Sequence, residues 1–185
     1  MTETETNLIE GLRKQSPQAQ QEMLDRYGRD VFAQVVRIVS QTENAEEVYQ
    51  DVFVKVFSHI GQFDGDRSSL RTWVIRIAYN EAISFLRRKS APTVYFDDYD
   101  RGIEMLTDAE VDETLGHASQ ETVQLIRTAL QHLPPEERAL VTMFYYEEMS
   151  LKEIAYVTES IPTTVASRLC RTRKKLCRII KMLQA

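Results

Sequence analysis

Seven side chains on one predicted helix near the C-terminus, Thr163, Thr164, Ser167, Arg168, Arg171, Lys174 and Lys175, combine hydroxyls with cations outside its apolar stripe and are expected at the surface. Hydroxyls there can meet base edges while arginine and lysine hold phosphates, so the chemistry they suit is recognition of a nucleic acid. Val165, Leu169 and Leu176 fall at core spacing on the other side of that helix, which opens at Pro162. Upstream, Ser150 and Glu153 have the spacing of a capping box. That box opens a short helix carrying Lys152 outward and Ile154, Ala155 and Val157 inward, and residues 158–161 break it from the next. A capped helix, a tight connection and a basic second helix form the layout of a helix-turn-helix. An αα-hairpin with a solvated basic face has the same pattern and stays open as the alternative.

A second group lies between residues 63 and 89. Phe63, Asp64, Gly65, Asp66, Arg67, Ser68 and Ser69 make a loop rich in hydrogen-bonding groups, able to cup an unstacked base. The helix that follows mixes Trp73, Tyr79 and Phe85 with Arg71, Arg76, Arg87, Arg88 and Lys89, the combination by which single strands are stacked and neutralised. Trp73 shares its side with Leu70, Val74 and Ile77, which favours core packing for that ring. Asn80 interrupts the apolar face, and an amide there suits base recognition better than packing.

Charge is segregated along the chain. The total is −5 in 185 residues, which taken alone argues against a polyanionic partner. Yet residues 160–185 hold seven Lys/Arg and no acid, and residues 67–89 hold six against Glu81 alone. Between them, residues 97–113 carry eight acids against Arg101. Cys170 and Cys177 lie seven apart on one helix, roughly 10 Å between Cα atoms, too far for a disulfide. His59, His117 and His132 are dispersed, and no Gly-rich phosphate loop, nucleophile elbow or metal-ligand cluster is present. The chain therefore reads as a binding protein without a cofactor, not an enzyme. No apolar stretch approaches the ~20 residues that span a bilayer, and no secretory leader is visible, so a cytoplasmic location without membrane insertion is expected.

The periodicity predicts an all-α protein of two small helical domains. Ser16 and Pro17 open a helix to about residue 40, with Gly28 marking a bend or a close contact. Asn44 with Glu47 suggests a second cap, starting a helix to about residue 60. The third helix runs over about 69–89. Ala91 and Pro92 end this part, and an acidic linker follows, with one short helix near 103–115. Helical pattern returns at Ser119, Pro134 and Pro135 begin a helix through Tyr146, and the helix-turn-helix closes the chain. The domains are thus 1–90 and 119–185, joined by the linker 91–118. In the second helix of the first domain, Val48, Val52 and Val56 form one apolar row and Tyr49, Phe53 and Phe57 another. Glu46, Glu47, Gln50, Asp51 and Lys55 remain as a polar face, either solvated or a docking surface for a basic protein.

These pieces, in this order, resemble a bacterial RNA polymerase sigma factor of the extracytoplasmic-function group of the sigma-70 family. The residues that carry the resemblance are Ala45 to Phe53, Phe63 to Arg67, Leu70 to Asn80, Leu133 to Arg138, and Glu153 to Ala155 with Thr164 to Arg171. It covers about residues 7–90 and 119–183. The resemblance implies a region 2-like domain, a region 4-like domain and promoter-specific initiation through −10 and −35 elements, with help in melting the promoter. Glu47, Val48, Gln50, Asp51 and Phe53 would dock on the clamp helices of the β′ subunit of core RNA polymerase, and the second domain would meet the β flap. Phe63, Asp64, Asp66, Arg67, Ser68, Arg76, Asn80, Arg87 and Arg88 would serve the −10 element. Lys152, Thr163, Thr164, Ala166, Ser167, Arg168, Cys170, Arg171 and Lys174 would serve the −35 element. The family also commonly has an anti-sigma partner. Three positions depart from the pattern: Glu159 stands where a glycine usually makes the turn, Ser160 where an apolar residue is common, and Ala166 at a position often basic. The connection is thus expected to pack less tightly or to follow a different path, with one DNA contact missing.

Overall fold

The computed structural model describes residues 3–89, 107, 109 and 120–184, and among them every regular element is helical. The chain order is α1 (Glu3–Arg13), α2 (Pro17–Val39), α3 (Thr42–His59), a 3₁₀ turn (Ile60–Gln62), α4 (Leu70–Lys89), α5 (Gln120–Gln131), α6 (Pro135–Val141), a π-helical turn (Thr142–Tyr146), α7 (Leu151–Val157) and α8 (Pro162–Leu183). The acidic linker and the short helix expected near 103–115 lie outside the described residues apart from 107 and 109.

Helices α2, α3 and α4 pack on one another, with α1 laid against α2. The valine row of α3, at i, i+4 spacing, is fully buried. Beside it Tyr49, Phe53 and Phe57 form a ladder of rings 5.0 and 5.8 Å apart, and Phe32 of α2 meets Tyr49 edge-on at 5.7 Å. Gly28 marks a close contact: a Cβ there would lie 2.8 Å from the Tyr49 hydroxyl. Helix α3 begins two residues before the Asn44 expected to cap it. Gln41 takes the cap position without a side-chain bond, and the Asn44 amide donates to Gln41 Oε1 from inside the helix. Helix α1 gave little signal in the sequence, since its apolar contribution to the core is three buried residues, Leu8, Ile9 and Leu12.

The helix expected from Pro135 through Tyr146 holds α geometry only to Val141. It then widens, with the Glu147 amide bonding the Thr142 carbonyl five residues back. The core does not divide at the linker. One continuous cluster runs from α1 through α4 into Leu140, Met143, Ile154, Val157, Val165 and Leu169. A smaller one joins α5 to the far end of α8 through Leu130, Leu133, Ile179 and Ile180. Helices α2 and α4 therefore pack directly on α6 and α7, along a seam between the two halves of the sequence.

Candidate nucleic-acid interface

Helix α7 is held at both ends by its own sequence. Ser150 Oγ accepts the Glu153 amide at 3.3 Å while Glu153 Oε2 accepts the Ser150 amide at 2.9 Å, the reciprocal capping box. At the other end the Ser160 amide bonds the Ala155 carbonyl at 2.9 Å, with Glu159 left-handed at φ 53°. This is a Schellman stop with a glutamate where glycine is strain-free. The departures at 159 and 160 thus leave the path of an ordinary helix stop, and Ser160 is half-buried.

Pro162 then starts α8, which buries Val165, Leu169, Thr172 and Leu176. Its outer face carries Thr163, Thr164, Ala166, Ser167, Cys170 and Arg171, all exposed, with Arg168 and Lys174 half-exposed. Thr163, Thr164, Ser167, Arg168 and Arg171 line a shallow cleft of about 320 Å³ over the first turns, where the amide ends of the helix favour an anion. Lys152 is exposed on α7. Lys175, expected at the surface, is instead buried and pairs with Glu137 at 3.4 Å.

The second cleft, about 360 Å³, lies between α3, the 3₁₀ turn and α4. Asn80, Arg67 and Arg76 line it, with Trp73 at its wall and Lys55 bonded to the buried Glu81 at 2.5 Å. Trp73 is 8 % exposed and packs on Phe63 at 5.6 Å; Trp73 builds the wall, and Phe63, itself buried, does not stand free for a base. Asp64 turns its carboxylate back to the Asp66 amide at 3.0 Å, which fixes the loop. Asp64, Asp66, Arg67, Arg87 and Arg88 are exposed and Ser68 is half-buried. Arg87 and Arg88 sit at the far end of α4, away from the cleft lining.

On α3 the residues separate into two roles. Glu47, Gln50 and Asp51 are exposed, whereas Val48 and Phe53 are 1 % and 4 % exposed and hold the helix to the core. Val54, outside both apolar rows, is 66 % exposed beside Glu47, Gln50 and Asp51, a position that the row pattern itself could have singled out.

Much of the cationic face of α4 is occupied by the other half of the chain. Arg71 pairs with Asp30 at 3.1 Å and with Glu147 at 2.6 Å, and Arg37 reaches Glu147 at 3.4 Å. Burial still pushes the Glu147 carboxyl above its usual range, outweighing both arginines. Thr72 donates to Glu153 at 3.0 Å. Burial raises the Glu153 carboxyl, but bonds from Ser150 and Thr72 and the charge of Arg71 outweigh it and hold the group below the usual range. Arg76 pairs with Glu159 at 2.5 Å and lies 4.7 Å over the Tyr156 ring, which Arg67 approaches at 5.9 Å. Among the described residues no cluster of His, Cys, Asp or Glu is placed to hold a metal; Cys170 is exposed and Cys177 is buried.

Two family models match in the order in which these halves occur. Sigma-70 region 2 matches residues 23–91 and Sigma-70, region 4 matches residues 123–176, together most of the chain. The chain belongs to the sigma-70 family. Within it the similarity is to the extracytoplasmic-function group. The RNA polymerase sigma-H factor of Pseudomonas aeruginosa is 28% identical over 98% of this chain and 96% of its own length. The ECF RNA polymerase sigma factor SigW of Bacillus subtilis is 29% identical over 91% and 92%. Two solved structures share the fold at 22% identity. The sigma factor RpoE, solved with the anti-sigma factor NepR from Bartonella quintana, has a TM-score of 0.62 over 87% of this chain and 96% of its own. CnrH, solved with the cytosolic domain of CnrY, has 0.64 over 96% and 95%. As a sigma factor, the chain directs promoter-specific transcription initiation by RNA polymerase. No described helix is long and apolar enough to cross a membrane.

Proposed function

We propose that this sigma factor divides its work between residues 1–90, which dock on core polymerase and take the −10 strand, and residues 119–185, which read the −35 duplex, with 91–118 as the connection. The exposed strip of α3, Glu47, Gln50 and Asp51 together with Val54, is the surface offered to the β′ clamp helices, and the C-terminal half meets the β flap. The open face at the start of α8 is the observation that carries the reading. Hydroxyls of Thr163, Thr164 and Ser167 lie within reach of base edges while Arg168, Arg171 and Lys174 hold the flanking phosphates.

The cleft beside Asn80 takes a base extruded from the −10 element, and stabilising it there offsets an unstacking cost of a few kcal/mol. All of this is binding work: the chemistry of RNA synthesis stays with the polymerase, and the sigma factor acts in the cytoplasm without a cofactor. A net charge of −5 keeps the free chain off DNA until polymerase supplies further contacts. An anti-sigma protein is the expected regulator, since both solved relatives are bound to one or to a cytosolic fragment named with them. Run-off transcription with core polymerase and fragmented genomic DNA tests the reading. Discrete transcripts that require the chain, and that weaken with Asn80→Ala and with Arg171→Ala, are the expected result. Strong, specific footprints by the isolated chain with no transcripts would replace the reading with a stand-alone DNA-binding regulator.

A further inference from the structure

The face of α4 assigned above to the −10 strand is the face that α7 and its turn cover. Two side chains reach across. The Tyr156 ring lies 4.7 Å beneath the Arg76 guanidinium and borders the same cleft as Asn80. The Glu159 carboxylate closes on the same guanidinium at 2.5 Å. An aromatic plane under a guanidinium with an anion beside it is the arrangement a nucleotide would offer, base and phosphate together.

Glu159 has no backbone reason to be where it is. Its left-handed φ favours glycine, so what a glutamate adds at that turn is its carboxylate, and that carboxylate goes to Arg76.

The rest of the seam is built to part. The Arg76–Glu159 pair is half in solvent and therefore screened by salt. Gln34 lies on the α2 stripe that includes Asp30 and Arg37, both paired into the seam. It is fully buried there, and its amide has no hydrogen-bond partner. Glu147 is less at ease as a carboxylate there than in water. Apolar contacts of Leu140, Met143 and Ile154 bring the halves together, but these polar groups are better served when the halves separate.

We propose that α7 carries an internal competitor for the promoter strand. Tyr156 stands in for an extruded base and Glu159 for its phosphate, so that the halves must part before the −10 strand can bind. The proposal rests on the assignment of α4 to the −10 strand. It leaves the −35 face of α8 open in the closed chain.

The test uses the full chain, wild type against Tyr156→Ser/Glu159→Gln, with Glu159→Gln alone as the conservative companion should the double variant melt early by circular dichroism. Anisotropy of a labelled random-sequence single-stranded DNA 12-mer reads the α4 face. Solution scattering reads the separation of the halves, and a random duplex reads α8. Expected are a larger radius of gyration and single-strand binding tighter by about tenfold, the factor regained when a competent state held near one part in ten becomes dominant. Duplex binding stays unchanged, and Glu159→Gln gives a smaller change in the same direction. Unchanged scattering and unchanged single-strand binding overturn the proposal. So does opening without tighter binding: in that case successful run-off transcription by the wild type removes only the mimicry, while failed run-off removes the α4 assignment too.

Discussion

The start of α8 and the cleft beside Asn80 are both small, cationic and hydroxyl- or amide-bearing, yet one is built on a single helix and the other is bordered by Tyr156 of the other half of the chain. On α8 the outward hydroxyls and Arg171 face solvent, and the inward residues hold the helix in place. On α4 the cations are shared, since Arg71 and Arg76 each spend their guanidinium on acids of the other half. The difference lies in what positions each surface. The start of α8 is oriented by its local partner α7, so it is complete by itself. The cleft beside Asn80 is oriented by a three-helix core whose exposed edge remains available to any aromatic and acidic neighbour.

The comparison is best broken at the core the halves share. Ile154→Ala, at a fully buried site, should cost about 3 kcal/mol by urea denaturation. Because the cluster is continuous, the loss should appear as one cooperative transition, and two separated transitions would show the halves to be independent. Next is Arg71→Ala, which leaves the Glu147 carboxylate in the seam with the longer Arg37 contact alone. The expected cost is about 2 kcal/mol, reduced from that of a fully buried pair by the partial exposure of Arg71.

Glu153→Gln should cost about 1 kcal/mol at neutral pH, through the capping box and the bond from Thr72. Since the folded carboxyl titrates below the ordinary 4.5, that stability is present above this value. It drains away as pH falls through the lowered one, so the variant and wild type should converge in acid. Arg171→Ala should leave the melting temperature unchanged. With holoenzyme on duplex promoter DNA it should lower the slope of log affinity against log salt by about one. Smallest is Glu159→Gly, which relieves the left-handed turn and should stabilise the chain by about 0.5 kcal/mol, measured by thermal melting in high salt where the pair with Arg76 is screened.

What could be read in the sequence was whatever is local. The valine and aromatic rows of α3, the capping box at Ser150 and the break before Pro162 are all set by residues within a few positions of one another. Helix α1 was missed because its few apolar residues are stabilised only by docking on α2, with Gly11 allowing an approach in which a Cβ would lie 2.7 Å from that of Ala19. Motif membership did not separate contact from support: Val48, Phe53 and Phe63 share stretches with exposed residues but belong to the core. The seam had no local signal at all. Arg71 and Glu147 are 76 positions apart, and Lys175 looked like surface until its partner Glu137 came into place.

The shared core has a further consequence for how the protein is tuned over time. Two halves that bury one cluster but are joined through residues 90–119 form a tethered pair, whose closed fraction depends on the tether as well as on the contacts. For a connection that behaves as a flexible chain, each doubling of its length adds only about 0.6 kcal/mol to the entropy of closure, close to threefold in the ratio of closed to open. Length in that connection is therefore a fine adjustment, through which insertions or deletions could reset the working threshold of the protein without touching a residue that meets DNA.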